Sequence, residues 1–419
     1  MNKTMHHPLL HIADDNALLE SLAKEYGTPL YIYSASRIKE NLDRFQSALN
    51  AFEKNHICYA IKANNNPHLV SFMKKEHPAL GADCSSPGEL YVARTAGMTG
   101  NECIFSGNYE SSEDLQSALD SSSCINLDDI TSFSRLINLG LPELLSFRIN
   151  PGFGKGTFSQ VVTGGKEAKF GVPIENIIDA YRSAADTGIV RFGLHCMTGS
   201  GVLEEDYFNN LFKTLLRASA EIEAAINSGL EFISIGGGFG IPYKDDENPL
   251  NIEHVMETLS TMFYEQYPDR DSAPSLWCEP GKFLVGDAGI LLASVTGLKE
   301  GYKNFIGLDA GMETLMRPGL YGAYHRIYKA GAVDAEHCQV ADITGRICEN
   351  TDRLAVDRPF PKVKEGDLVA IMDTGAYGYS MAHQFNTRPR PAEILLHDDR
   401  SELIRKRETV EDIFGNCDG

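Results

Sequence analysis

The chain has 419 residues, 42% hydrophobic and 23% charged, which are the proportions of an ordinary globular protein long enough for two domains. A formal charge of −20 argues against binding nucleic acid or an anionic membrane, which need basic patches, but a few local cations could still hold a small anionic substrate. Nine scattered cysteines without a CxxC pair fit a reducing compartment and give no metal framework. With no membrane-length apolar stretch and no signal-peptide pattern in residues 1–13, the expected location is the cytoplasm.

A β-rich run over 29–33 opens the chain, followed by a helix-like stretch over 35–52 with Ile38, Leu42, Phe45 and Leu49 near helical spacing. Short apolar runs then recur at 57–61, 79–82, 103–105, 124–127, 144–149, 191–194, 232–235 and 276–278. Amphipathic stretches such as 87–96, 113–119, 174–187, 207–228 and 252–267 lie between them. Eight strands alternating with helices predict an α/β fold, a closed (β/α)8 TIM barrel over 35–282, with a doubly wound open sheet as the competitor.

A barrel gathers its chemistry at the C-terminal strand ends. Those ends read Lys62, Asp83, Ser106-Gly107, Asn126, Asn150, His195, Gly236-Gly237-Gly238 and Glu279, nearly all polar or glycine, which favours the barrel. Past 283 the runs 290–295, 305–308, 339–343 and 368–372 are separated by turn-rich segments and few helices. This predicts an all-β domain built from 283–419 and 1–34, with the 29–33 run returning to join it.

Lys62 ends an apolar strand, where burial can lower an amine's pKa and make it a nucleophile toward a carbonyl; the plain alternative is a solvated strand end. Gly236-Gly237-Gly238-Phe239-Gly240 lets backbone amides converge on a phosphate, although Ile241 breaks the dinucleotide fingerprint and a tight turn is the rival reading. Glu279, in Cys278-Glu279-Pro280-Gly281-Lys282, could keep a heterocyclic nitrogen protonated, or simply sit in a turn. Amine, phosphate cradle and carboxylate on one rim are the three handles a pyridoxal phosphate cofactor needs.

His195 could stack on a ring or be a satisfied core histidine, and Ser200 could hold phosphate. Arg317 and Tyr321 offer a carboxylate clamp, with a surface turn as the alternative. Cys348-Glu349 places a thiol beside an acid, able to supply a proton and bind an amine.

Seven motifs occur here in one fixed order: Tyr59-Ala60-Ile61-Lys62-Ala63-Asn64, Gly236 to Gly240, Cys278-Glu279-Pro280-Gly281, Met316 to Tyr321, Cys348-Glu349, Gly375-Ala376-Tyr377 and Asn386-Thr387-Arg388-Pro389-Arg390-Pro391. Over nearly the whole chain this resembles the fold-type III, alanine racemase-like pyridoxal phosphate decarboxylases, most closely the diaminopimelate decarboxylase branch. The resemblance implies that Lys62 carries pyridoxal 5'-phosphate covalently. Asp83, His195, Ser200, Gly236, Gly237, Gly238, Glu279, Gly281 and Tyr377 would complete the cofactor site. It implies Lys282, Arg317, Tyr321, Tyr377 and Glu349 as substrate ligands, and Cys348 as the catalytic proton donor beside Lys62. It further implies a homodimer in which Cys348 and Glu349 complete the other subunit's site, no metal, and conversion of meso-diaminopimelate to L-lysine and carbon dioxide.

Two positions depart from that pattern. Lys282 stands where the family usually has arginine, keeping charge but losing the bidentate fork. Met197 stands where the family usually has a ring-stacking histidine, so either His195 takes over or a thioether packs on the ring. These leave open a decarboxylase of a related amino acid, a carboxylated polyamine, or a siderophore or antibiotic precursor. Glu279 disfavours a racemase, and Lys62, Glu279 and Cys348 together disfavour a non-catalytic regulator. A cofactor-free barrel hydrolase would be colourless and indifferent to borohydride.

Overall fold

A computed structural model describes residues 7–417. The chain separates into two compact units. One comprises Asn41–Ile241 and Pro249–Phe283; the other takes the chain up to Glu40, Pro242–Asn248, and everything from Leu284 onward.

The first unit is a barrel of eight parallel strands: β1 (Asn55–Ala60), β2 (Gly81–Cys84), β3 (Cys103–Phe105), β4 (Cys124–Leu127), β5 (Leu145–Asn150), β6 (Gly193–Cys196), β7 (Phe232–Ser234) and β8 (Ser275–Cys278). Neighbours pair in sequence, β8 pairs with β1, and β4 with β5, so the sheet closes as expected. The β6 run sits two residues later than the apolar pattern suggested, because His195 and Cys196 still belong to the ladder.

The barrel interior changes character along its axis. Its lower layer is an apolar plug of Cys58, Ile104, Cys124, Leu144, Phe232 and Trp277. Phe232 and Trp277 stack with ring centroids 4.0 Å apart. Gly193 makes room for them, since a Cβ there would lie 2.0 Å from the Phe232 ring. Toward the C-terminal strand ends the residues turn polar: Asp83, Asn126, Arg148, His195, Ser234 and Glu279 are all buried. Asn126, Ser234 and Glu279 follow the plug residues Cys124, Phe232 and Trp277 by two positions, the strand period that keeps them on the same face.

Helices follow most strands and are capped by their own sequence. Asn66 accepts the His68 amide before Pro67–Glu76, and Ser86 accepts the Glu89 amide before Pro87–Thr95, each with proline at the first helical position.

The second unit is mainly one nine-stranded sheet. Its hub is Gly289–Lys299, which pairs with Leu30–Ser34, Leu368–Ile371 and Phe305–Leu308. Leu30–Ser34 lies between that hub and the parallel strand Ala392–Leu396, so the early run does join the β unit. Two helices that the sequence reading passed over, Leu10–Asp14 and Asn16–Tyr26, bury Ile12, Leu19 and Leu22 against Ile290, Leu292 and Ile394.

Candidate active site

Register brings the barrel's polar groups together. Arg148 pairs with His195, and His195 with Ser234, so their side chains share the interior. Glu279 follows β8 and is 4% exposed. Its Oε1 accepts from Ser234 Oγ at 2.6 Å, and its Oε2 lies 3.0 Å from His195 Nε2. Burial alone would raise this carboxyl, but the charge and hydrogen bond of His195, the Ser234 hydroxyl and Lys62 outweigh it and hold Glu279 below its ordinary value. Glu279 is therefore an anion in a dry place.

Lys62 lies on the single 3-10 turn Ile61–Ala63 after β1, its side chain 40% exposed. Its Nζ donates to Asp83 Oδ2 at 2.5 Å. Burial raises the Asp83 carboxyl, with the Lys62 charge opposing. Gly281 lets the Glu279 turn pack onto the Lys62 turn: a Cβ there would lie 2.9 Å from Ala63 Cβ and 3.1 Å from Ala60 Cβ. Anchored amine and buried anion thus occupy neighbouring strand exits.

The glycine run after β7 bends sharply, with φ of +67° at Gly236 and +92° at Gly238. Side chains at 236 and 237 would collide with the Cys196 and Glu279 carbonyls, each 2.4 Å from the added Cβ. The run packs along the loop after β6 that carries Ser200: Val202 N donates to Gly238 O, and a Cβ at Gly238 would lie 3.0 Å from Gly199 O. Gly237 N–H points at the Met197 thioether, 3.2 Å away and a weak acceptor. Lys282 is 6% exposed, near Gly201, where a Cβ would lie 3.0 Å from its Nζ.

Asp83 Oδ1 and His195 Nδ1 are buried without a hydrogen-bond partner among the described residues. Such atoms in an otherwise satisfied layer mark room for a further polar group. An amine, an anion, a glycine bend and these two unmatched atoms fit pyridoxal phosphate.

The β unit assembles a second group of predicted residues. Arg317 starts the helix Arg317–Tyr321 and is 3% exposed. Its guanidinium lies over the Tyr243 ring at 4.7 Å and donates from Nη1 to His325 Nε2 at 3.0 Å. Burial, then Arg317, pushes His325 down to about 3, so the ring is neutral; Nδ1–H donates to Met372 O at 2.8 Å and leaves Nε2 to accept. Tyr321 closes the same helix, and Tyr377 sits at φ +57° beyond the buried Asp373.

Cys348 and Glu349 are exposed in the loop between Gln339–Thr344 and Arg353–Phe360. His325, Arg148 and Ser234 were missed as site residues. The strand alternation of Ser234 and Arg148 with apolar neighbours could have revealed them, whereas nothing local marks His325. Among the described residues no cluster of three metal-ligating side chains occurs and no helix is long and apolar enough to cross a membrane.

Comparison with known proteins agrees with this arrangement. The family described as "Pyridoxal-dependent decarboxylase, pyridoxal binding domain" matches residues 35–286. The chain is 38% identical over 407 residues to a diaminopimelate decarboxylase of Methanothermobacter thermautotrophicus, covering 96% of this chain and 95% of the relative. It is 35% identical to Protein TabA of Pseudomonas amygdali pv. tabaci, over 95% and 93% of the two chains. The structure of a diaminopimelate decarboxylase from M. jannaschii in co-complex with L-lysine superposes with a TM-score of 0.86 at 31% identity, covering 95% of this chain and 94% of that one.

Proposed function

The chain belongs to the pyridoxal-dependent decarboxylases, and on that premise we propose that it uses pyridoxal 5'-phosphate to convert meso-diaminopimelate to L-lysine and carbon dioxide. The observation that carries the reading is the rim on β2, β1, β8, β7 and β6, consecutive in the barrel: Asp83-anchored Lys62, anionic Glu279 with Ser234 and His195, and the glycine bend. When bound, the cofactor supplies a conjugated ring that takes up the electron pair left by departing carbon dioxide.

The chain's own residues do the rest. Lys62 Nζ would hold the cofactor's carbonyl carbon, aimed by Asp83. Glu279 would keep a proton on the ring nitrogen, its charge maintained by His195 and Ser234. Met197 rather than His195 reaches the glycine bend, which favours a thioether against the ring while His195 serves Glu279. Glycines 236–238, Ser200 and Tyr377 would take the phosphate, and Gly281 would complete the cofactor site. Arg317, pre-aimed by neutral His325, would bind the substrate's distal carboxylate with Tyr321 and Lys282. Glu349 would meet the distal amine, and the Cys348 thiol would deliver a proton to the α-carbon. The last two would serve the other copy of a homodimer, with the β unit completing the site at that interface and the enzyme working in the cytoplasm.

Lys282 and Met197 favour one second reading, a decarboxylase of a related amino acid. Carbon dioxide release by the cofactor-loaded protein, offered meso-diaminopimelate, lysine, ornithine and glutamate separately, decides between them. Preference for diaminopimelate supports the first reading; preference for another acid moves the substrate and keeps the chemistry.

A further inference from the structure

The motif Asn386 to Pro391 has no role in the chemistry above, yet it grips the loop that bears Cys348. Asn386 Oδ1 accepts the Cys348 backbone N–H at 2.7 Å, and Arg388 Nη2 donates to Arg346 O at 3.3 Å. Asn386 and Thr387 both sit at φ +57°, a left-handed conformation that asparagine tolerates and a β-branched threonine rarely adopts. Two such residues in succession persist only where surrounding contacts impose them.

A second side chain holds the same loop from the other end. Asp352 is 4% exposed; its Oδ2 accepts the Ile347 N–H at 2.9 Å and its Oδ1 accepts the Met312 N–H at 2.7 Å. Its own N–H donates to Glu349 O at 3.2 Å and closes the turn. Room for the carboxylate comes from two glycines: a Cβ at Gly311 or Gly345 would lie 2.4 or 2.5 Å from Asp352 Oδ1. Consecutive amides, Ile347 and Cys348, are thus captured by two different side chains. The Asp352 contact also ties the loop to the segment leading into Arg317.

We propose that Asn386 and Asp352 are positioning residues that fix the Cys348–Glu349 turn for proton delivery and amine recognition. This rests on the roles proposed above for Cys348 and Glu349. Asn386 supplies an acceptor from a backbone conformation few residues share, so the motif is read as a clamp on the thiol's backbone.

The test compares Asn386→Gly with Asn386→Asp in the cofactor-loaded enzyme. Glycine suits the positive φ but removes the acceptor; aspartate keeps both. Hydrogen–deuterium exchange of the peptide over 345–353 should quicken about five- to tenfold in Asn386→Gly, the worth of one hydrogen bond. Its kcat should fall by a similar factor with KM for the substrate changing less than twofold, and Asn386→Asp should restore both. Asp352→Asn, with one acceptor oxygen replaced by a donor, should reproduce the faster exchange. Unchanged exchange in Asn386→Gly, or an Asn386→Asp variant as impaired as the glycine one, overturns the clamp. Cys348→Ala is the control. If it turns over normally, the proposal falls together with the reading it rests on. If it is impaired while Asn386→Gly is unaffected in kcat, the proposal falls alone.

Discussion

The barrel rim and the Arg317–Cys348 region of the β unit hold their polar side chains in opposite ways. At the rim, the groups project from strands or from the first turn after them, and register fixes their spacing before any side-chain contact forms. In the β unit the groups sit on a five-residue helix and on loops, and each needs other side chains to aim it: His325 for Arg317, Asp352 and Asn386 for Cys348. On the roles proposed above, a rigid scaffold would suit a cofactor, whose amine, nitrogen and phosphate handles stand at fixed distances from one another. On the same roles, loops would suit the substrate, because binding side chains carried on loops can be re-aimed without disturbing the scaffold. The contrast predicts that rim substitutions abolish chemistry, while β-unit substitutions redistribute affinity and rate.

The largest effect should come from Lys62→Ala, lowering kcat by at least about 10³-fold and abolishing covalent retention of cofactor after borohydride reduction. Full activity in that variant would break the rim side of the contrast. Glu279→Gln should follow, with kcat down about 10²-fold and a changed absorbance of bound cofactor, because a neutral amide cannot hold a proton on the ring nitrogen. Within the β unit, Arg317→Lys should raise KM about tenfold with a smaller change in kcat, and a kcat loss as deep as that of Glu279→Gln would erase the distinction.

The smallest effect concerns Glu313. This buried carboxyl has an unpartnered Oε2, and burial, with Asp352 nearby, pushes it up to about 7. The folded protein therefore keeps a proton that the unfolded chain releases near its ordinary value of 4.5. The stabilisation is complete below that value and is lost as pH rises through about 7. Glu313→Gln cannot ionise, so its melting temperature relative to the parent should climb by roughly 2–4 °C between pH 5.5 and 8. A pH-independent difference would show that Glu313 does not titrate there.

Much of the rim could be read from the sequence because strands announce themselves by apolar runs and the barrel rule says where to look next. Lys62, Asp83 and Glu279 follow directly. His195 was placed at a strand end, but the ladder continues through Cys196, so its ring is directed at Glu279 inside the barrel. That partnership needs the register of three strands, which no single run encodes. In the β unit the motifs could be recognised but not their supports. His325 lies eight residues beyond Arg317, and Asn386 reaches Cys348 across a long separation in sequence. Side-chain aim on loops is set by contacts of this kind, which periodicity does not report.

The strand Leu30–Ser34 has a consequence for biosynthesis. Its neighbours are residues 289–292 and 392–396, so it leaves the ribosome long before either exists. The whole barrel is made in the interval. A fully buried Leu-Tyr-Ile-Tyr segment must therefore wait with both edges open until residues 289–292 arrive, and with one edge open until 392–396 follow. Truncation before Ala392 would remove one of those partners for good. Nascent chains stalled there should gather chaperones at their N-terminal end, even if the barrel has already closed.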